Sequence, residues 1–295
     1  MFQKIDLEDI VYHPTFICNL SCRGCVNYSN HLETRNIPAE TNWDRDLKIL
    51  FERFNVKHIE VAGGETLMFQ TLKDLIACLA PAEKYTVTTN GLLLYKNKWL
   101  KELLDTDPKL NIAISIHYDP KIETTYTKNL FNSIAEFLDI TPAKVKSVLS
   151  RHSISTRKPG FFFFIQERVF LRYAYNSPNN KSWLYPVLDS NELPTLFNNN
   201  KEEAYNQCMC PSPHLKDGKI YKCPMTAMLL KVVESKNLYN SNWQFLKDYE
   251  PYNLLSDHNL GDWNRLRTPE DVCSRCPVGE SQWDRKKTDL HSKII

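Results

Sequence analysis

The sequence predicts an α/β fold with largely parallel strands, and three observations carry that expectation. Short apolar runs alternate with stretches whose apolar residues recur at helical spacing through the first two-thirds of the 295 residues. Such alternation implies parallel strands joined by helical crossovers, as in a full or partial α/β barrel or a doubly wound sheet. The polar motifs fall where those runs end, which is where functional groups gather in both architectures. Composition agrees: 42% hydrophobic and 24% charged residues are ordinary for a globular chain long enough for one large domain and a small one.

The elements follow in order. Residues 11–17 read as a strand ending at the first cysteine, and residues 43–54 place Leu47, Leu50 and Phe51 on one helix face. A second strand, 58–62, runs into Gly63-Gly64-Glu65. A helix at 72–79 precedes a third strand, 85–88, that ends at Thr89-Asn90-Gly91. A helix at 99–104 leads to a fourth strand, 111–116, which ends at Ser115-Ile116-His117. Helices are expected at 127–138 and 143–149, with Pro142 at the first helical position. An aromatic strand at 161–165 and a sixth strand at 169–175 complete the series. From about residue 176 the texture turns polar and asparagine-rich, and a domain boundary is expected near 200–207. No internal repeat is visible.

Charge and cysteine usage narrow the function. A net charge of +2, from 37 basic and 35 acidic residues, points to neither a nucleic-acid nor a membrane partner. The first residues, MFQKIDLEDI, lack the apolar stretch of a signal peptide, and the longest apolar run, 161–165, is too short to span a bilayer. A cytoplasmic location is therefore expected. In that compartment nine cysteines are not a disulfide framework. Cys78 lies on an apolar helix face and reads as a small buried hydrophobe. The others fall into two groups, so two soft-metal sites are expected.

Cys18, Cys22 and Cys25 are spaced by three residues and then by two, with no fourth cysteine nearby. Thiolates select soft metals, and three of them on a four-iron cluster leave one iron open to an outside ligand. The competing reading is a zinc ion completed by His13 or His31.

This triplet, just after the first strand, resembles the signature of the radical S-adenosylmethionine (SAM) superfamily, and Gly63-Gly64-Glu65 matches that family's glycine-rich SAM motif. The resemblance covers roughly the first 170 residues and implies a partial (βα)6 barrel. It implies a [4Fe–4S] cluster on Cys18, Cys22 and Cys25, with SAM chelating the open iron. In the family, reductive cleavage of SAM yields methionine and a 5′-deoxyadenosyl radical, which abstracts a substrate hydrogen atom; the cofactor carries the difficult chemistry. Carried over residue by residue, Gly63 and Gly64 let backbone approach the methionyl ammonium, and Glu65 supplies compensating charge. Ser115 matches the position that holds the SAM ribose or carboxylate. Thr89 and Asn90 occupy a similar place or serve turn chemistry, and Ile165 packs on adenine or in the core. Gly24 departs from the family, where many members carry an aromatic residue just before the last cysteine.

The second group, Cys208-x9-Gly218-x4-Cys223 followed by Cys273-x2-Cys276, resembles the Twitch domain, a shortened SPASM-type extension. The implied organisation is a radical SAM core over 1–205, a small Fe–S-binding domain over 206–285 and a tail over 286–295. Its implied cofactor is an auxiliary [4Fe–4S] cluster on Cys208, Cys223, Cys273 and Cys276; a four-cysteine zinc site is the alternative. Cys208 is preferred to Cys210 because its spacing to Gly218 fits the family.

The activity expected from the resemblance is that of an oxidoreductase acting on a small polar metabolite, of sugar or aminocyclitol type. The alternatives are maturation of a ribosomally made peptide and a catalytically silent Fe–S scaffold; Gly63-Gly64-Glu65 argues against the scaffold. Partners would be a small-molecule or short-peptide substrate and a reductant such as flavodoxin or ferredoxin. His117, Tyr118, Glu167 and Arg168 are candidates for the base that an oxidation needs.

Overall fold

The computed structural model describes residues 4–22, 25–31, 37–117, 124–152, 162–173, 188–191, 193–208, 212–256, 266–279 and 282. Tyr118 and Cys210 fall outside them.

Strand β1 (Ile5–Tyr12) is followed by α1 (Trp43–Arg53), β2 (Phe54–Val61), α2 (Leu72–Ala77), β3 (Lys84–Thr89), α3 (Lys98–Thr106) and β4 (Leu110–Ile116). Two helices, α4 (Thr125–Leu138) and α5 (Pro142–His152), precede the pair β5 (Phe162–Gln166) and β6 (Val169–Tyr173). The C-terminal part holds α6 (Lys201–Asn206), β7 (His214–Lys216), β8 (Lys219–Tyr221), α7 (Leu230–Ser235), α8 (Gln244–Lys247) and β9 (Tyr252–Asn253). The nine strands form one sheet in the order β5-β6-β4-β3-β2-β1-β7-β8-β9.

Local sequence accounts for the helices. In α1, Leu47, Leu50 and Phe51 are buried, while Asp44 and Asp46 sit at the positive end of the helix dipole and Arg53 at the negative end. Helix α4 starts with a capping box between Thr124 and Thr127 and ends on Asp139 in the left-handed region, φ 54°. The buried faces of α1 to α5 pack with the strands into the main core, whose fully buried members include Ile10, Leu47, Ile59, Val87, Ile112 and Leu171.

The sheet departs from expectation in three places. β1 to β4, β6 and β7 run parallel, but β5 is antiparallel to β6, so the aromatic strand at 161–165 is the outer arm of a hairpin. The first strand also lies earlier than residues 11–17. Past Tyr12 the chain stays extended and bonds the glycine segment: Gly64 N–H donates to Thr15 O (2.9 Å) and Glu65 N–H to Ile17 O (2.7 Å). The sheet also continues past residue 206, because β7 pairs with β1 and carries β8 and β9 with it. Asp217 (φ 50°) and Gly218 (φ 68°) make the two-residue turn of the β7–β8 hairpin, where both central residues need positive φ.

One sheet face is polar. Arg172 Nη2 on β6 donates to Glu60 Oε1 on β2 at 2.7 Å and to Thr88 Oγ1 on β3 at 3.1 Å, and Thr88 also donates to Glu60 at 2.6 Å. β6 and β2 are three strand steps apart, about 14 Å on a flat sheet, so the long Arg172 side chain reaches across β4 and β3 to make this contact. Ser115 pairs in register with Arg172 and so shares the face.

A second, smaller core gathers Leu193, Met225, Leu229, Val232, Val233, Trp243, Leu246 and Val272 around a π-helical turn (Met225–Leu229) and α7. A third cluster, Phe16, Ala227 and Met228, joins that region to the segment just before Cys18.

Candidate functional site

The cysteine segment that follows β1 is fixed by the ends of β2 and β3. Glu65 is fully buried, and its carboxylate accepts from Thr89 Oγ1 (2.5 Å), Asn90 N–H (2.7 Å) and Leu67 N–H (3.0 Å). Burial pushes its carboxyl up, and these three donors hold it back down. Asn90 Nδ2 then donates to Asn19 Oδ1 at 2.6 Å, beside Cys18, and Asn27 Nδ2 donates to Gly63 O at 2.7 Å, beyond Cys25. The glycine pair, the Thr-Thr-Asn turn and the cysteine segment are one hydrogen-bonded unit.

Gly63 and Gly64 have a structural reason of their own beside the expected one. A Cβ on Gly63 would meet Thr15 O at 2.7 Å, and one on Gly64 would meet Ile17 O at 2.1 Å. What needs the missing side chains is close approach of the backbone before Cys18.

The three thiols differ in surroundings. Cys22 is pushed well up by burial, with Cys25 and Cys18 adding like charge. Cys25 is raised by burial too, but the N–H groups of Ser29, Asn27, Asn30 and Tyr28 work in the opposite direction. Cys22 Sγ lies 3.6 Å from His117 Nδ1. Burial, with the Arg172 charge, lowers His117 to about 4, so its ring is neutral at neutral pH.

The other candidate bases separate. Glu167 and Arg168 form the β5–β6 turn, level with the start of β4, at the opposite end of the strands from the cysteines. Arg168 donates to the carbonyls of Asp107, Leu110 and Leu104 there. The reason is the antiparallel β5: its hairpin turn falls at the N-terminal ends of the parallel strands. Tyr118 lies outside the described residues. Ser115 is half-buried on the polar face that carries Arg172, and Ile165 is partly buried against the main core.

His13, the alternative fourth ligand for zinc, is spent elsewhere. Its Nε2 lies 2.7 Å from His214 Nδ1, with the rings stacked at 4.9 Å. Burial lowers both imidazoles, His214 to about 3.

In the C-terminal part, Cys208, Cys223, Cys273 and Cys276 line one cavity together with Tyr205, Lys222, Met225 and Val272. Burial raises the Cys276 thiol well above its usual value, and Cys223, Cys208 and Cys273 add repulsion. Burial also lifts Cys223 to about 11. Four thiols on one cavity match the donor set of an all-thiolate cluster. Among the described residues no three His, Cys, Asp or Glu side chains converge as they would on a single metal ion.

Several residues escaped the sequence reading: Asn19 and Asn27, the Glu60–Thr88–Arg172 group, the His13–His214 pair and Lys222. Only the asparagines left a signal, being interleaved with the cysteines in CNLSCRGCVNYSN. No helix among the described residues is long and apolar enough to cross a membrane.

No family model matches the chain. A solved structure described as native anSMEcpe with bound AdoMet is 16% identical, covering 45% of this chain and 42% of that one, with a TM-score of 0.35. Streptococcus suis SuiB bound to S-adenosylmethionine is 24% identical, covering 50% and 31%, with a TM-score of 0.31. Likenesses this slight bear on neither fold nor ligand. The chain is 35% identical over 100 residues to the probable GTP 3',8-cyclase of Methanosarcina mazei, covering 33% of this chain and 30% of that protein. Over 101 residues it is 35% identical to the protein of the same name in Archaeoglobus fulgidus, covering 33% and 32%. The chain spans half or less of the length of the curated relatives it matches. Similarity to these cyclases supports the resemblance of the cysteine triplet to the radical SAM superfamily.

Proposed function

We propose that this protein is a radical SAM enzyme that carries its SAM-binding cluster on Cys18, Cys22 and Cys25 and acts on a small polar metabolite. The observation that carries the reading is the fastening of a three-cysteine segment to the glycine pair and to Thr89-Asn90. When bound, the cluster and SAM supply the electron and the 5′-deoxyadenosyl radical that takes a hydrogen atom from the substrate. The chain's own residues do the rest. Asn19, Asn27, Glu65 and Asn90 hold the cysteines in register, and Ser115 faces the same side of the sheet as Arg172. The neutral His117 offers its Nδ1 to Cys22, a contact that fits a hydrogen bond to a ligating sulfur better than a proton-accepting role.

The polar sheet face favours a polar substrate. Glu60 and Arg172 stand there as a partly buried ion pair with Thr88. Burial opposes the Glu60 charge, but Arg172 and the Thr88 hydroxyl hold its carboxyl below the usual range. Such a lining suits hydroxyl or amino groups, as in a sugar or aminocyclitol, and an oxidation of such a compound is the reading we adopt. The relatives' name raises a cyclisation of a nucleotide as the second reading. The four-cysteine cavity is read as an auxiliary [4Fe–4S] site, within a Twitch-like domain.

The test is anaerobic reconstitution with SAM and a strong reductant. 5′-Deoxyadenosine should be released by the wild type and not by Cys22→Ala. Equal release by both would sink the assignment of the first cluster.

A further inference from the structure

We propose that Lys222 is the built-in counter-charge of the four-cysteine cavity, a positioning residue that sets the reduction potential of the cluster held there. The proposal rests on reading that cavity as a cluster site.

Lys222 follows β8 directly and precedes Cys223, and it is 6% exposed. Its Nζ donates to Leu266 O at 3.0 Å and to Thr268 O at 2.5 Å, and it lies 4.7 Å from the centroid of the Tyr205 ring. The Tyr205 hydroxyl donates to Arg267 O at 2.8 Å, so one ring and three consecutive residues, 266–268, clamp the ammonium. Lys222, Tyr205 and Leu266 all line the cavity with the four cysteines. The clamp therefore keeps the charge on the cavity wall.

These three contacts are all neutral. Carbonyl oxygens and an aromatic face return only part of the several kcal/mol that burying an ammonium costs. An anionic group in the cavity would complete the compensation, and four thiolates on an iron–sulfur cluster are such a group. Reduction adds one electron to the cluster, and a fixed positive charge on the wall favours the reduced form by Coulomb attraction. Lys222 therefore eases electron entry into this site.

The experiment is an anaerobic redox titration of the reconstituted full-length chain followed by electron paramagnetic resonance, with iron counted first. It is repeated in a Cys22→Ala background to isolate the auxiliary signal. The wild type should hold about eight irons, two four-iron clusters. Lys222→Met should keep that count and shift the auxiliary redox equilibrium at least about tenfold towards the oxidised form, about 59 mV for a one-electron couple. Lys222→Arg, which keeps the charge, should stay near wild type. Loss of the second cluster in Lys222→Met but not in Lys222→Arg would also support the proposal, since charge would then be needed to hold the cluster at all. Eight irons with an unchanged potential in Lys222→Met would overturn it, as would equal shifts or equal iron loss in both variants. About four irons in the wild type would defeat the cluster reading itself and this proposal with it, an outcome visible before any variant is made.

Discussion

Gly64→Ala should loosen the cysteine segment, and its cost can be worked from the geometry. The new Cβ would stand 2.1 Å from Ile17 O, 2.5 Å from Ile17 C and 2.6 Å from Phe16 O, all backbone atoms that no rotamer change can move. An ordinary contact begins at 3.4 Å, so the segment must retreat by about 1.3 Å. That separation breaks two hydrogen bonds, Gly64 N–H to Thr15 O and Glu65 N–H to Ile17 O. Each buried group left unsatisfied costs about 1–3 kcal/mol, so about 2–6 kcal/mol is expected for the two bonds. For a chain of this size that is a fall of roughly 3–10 °C in Tm. Because Ile17 precedes Cys18, iron bound after reconstitution should fall as well. The assays are differential scanning calorimetry of the apoprotein and iron content of the reconstituted protein. Wild-type values in both would refute the packing argument. Weakened SAM binding with both values intact would mean that the glycines face SAM directly.

Three further outcomes follow from other parts of the molecule. Lys216 Nζ and Glu40 Oε1 form an ion pair at 2.8 Å with both side chains almost fully buried, so Lys216→Met should destabilise by about 3–5 kcal/mol, and adding Glu40→Gln should recover part of it in denaturant titrations. The His13–His214 pair is held neutral, with folded-state pKa values below the unfolded value, so its contribution to stability is present above about pH 6.5 and lost below it. The expected slope is about 1.4 kcal/mol per pH unit for each ring, and thermal melts from pH 7.5 to 5 should show a shallower acid loss in His214→Asn; an unchanged slope would mean that the pair is not buried as described. Cys208→Ala should lower iron content by about half, one of two four-iron clusters, whereas Cys210→Ala should not; the reverse result would exchange their roles.

The parts of the fold legible in the sequence are those whose pattern is set by burial alone. β3, β4, α4 and α5 stand close to where periodicity placed them, because strands covered on both faces and helices with one apolar face announce themselves. β1 was displaced because residues 13–17 carry the same apolar texture, although they pair with Gly64 and Glu65. The direction of β5 has no local signature, and β7, at three residues, is too short to show one. The same division holds at the site. Cysteine spacing exposed the donors, but not the contacts that orient them. Nothing adjacent in sequence announces that His117 meets Cys22, or that Glu65 bonds Thr89 and Asn90 rather than standing free.

The apolar contact around Phe16 bears on the order in which the molecule is assembled. Phe16 is 2% exposed because Ala227 and Met228 cover it, and Lys216 Nζ lies 5.0 Å from its ring centroid. All three partners are made late in synthesis, so in a nascent chain that already carries Cys18, Cys22 and Cys25 the Phe16 cluster holds only its early members, Tyr28 and Ile37. Domains fold as units from the N-terminus during translation, but here one side of the segment before Cys18 is covered only when the π-helical turn arrives. A fragment cut at residue 205 should keep the hydrogen bonds that tie its cysteine segment to β2 and β3, yet tend to aggregate through the uncovered side of the Phe16 ring.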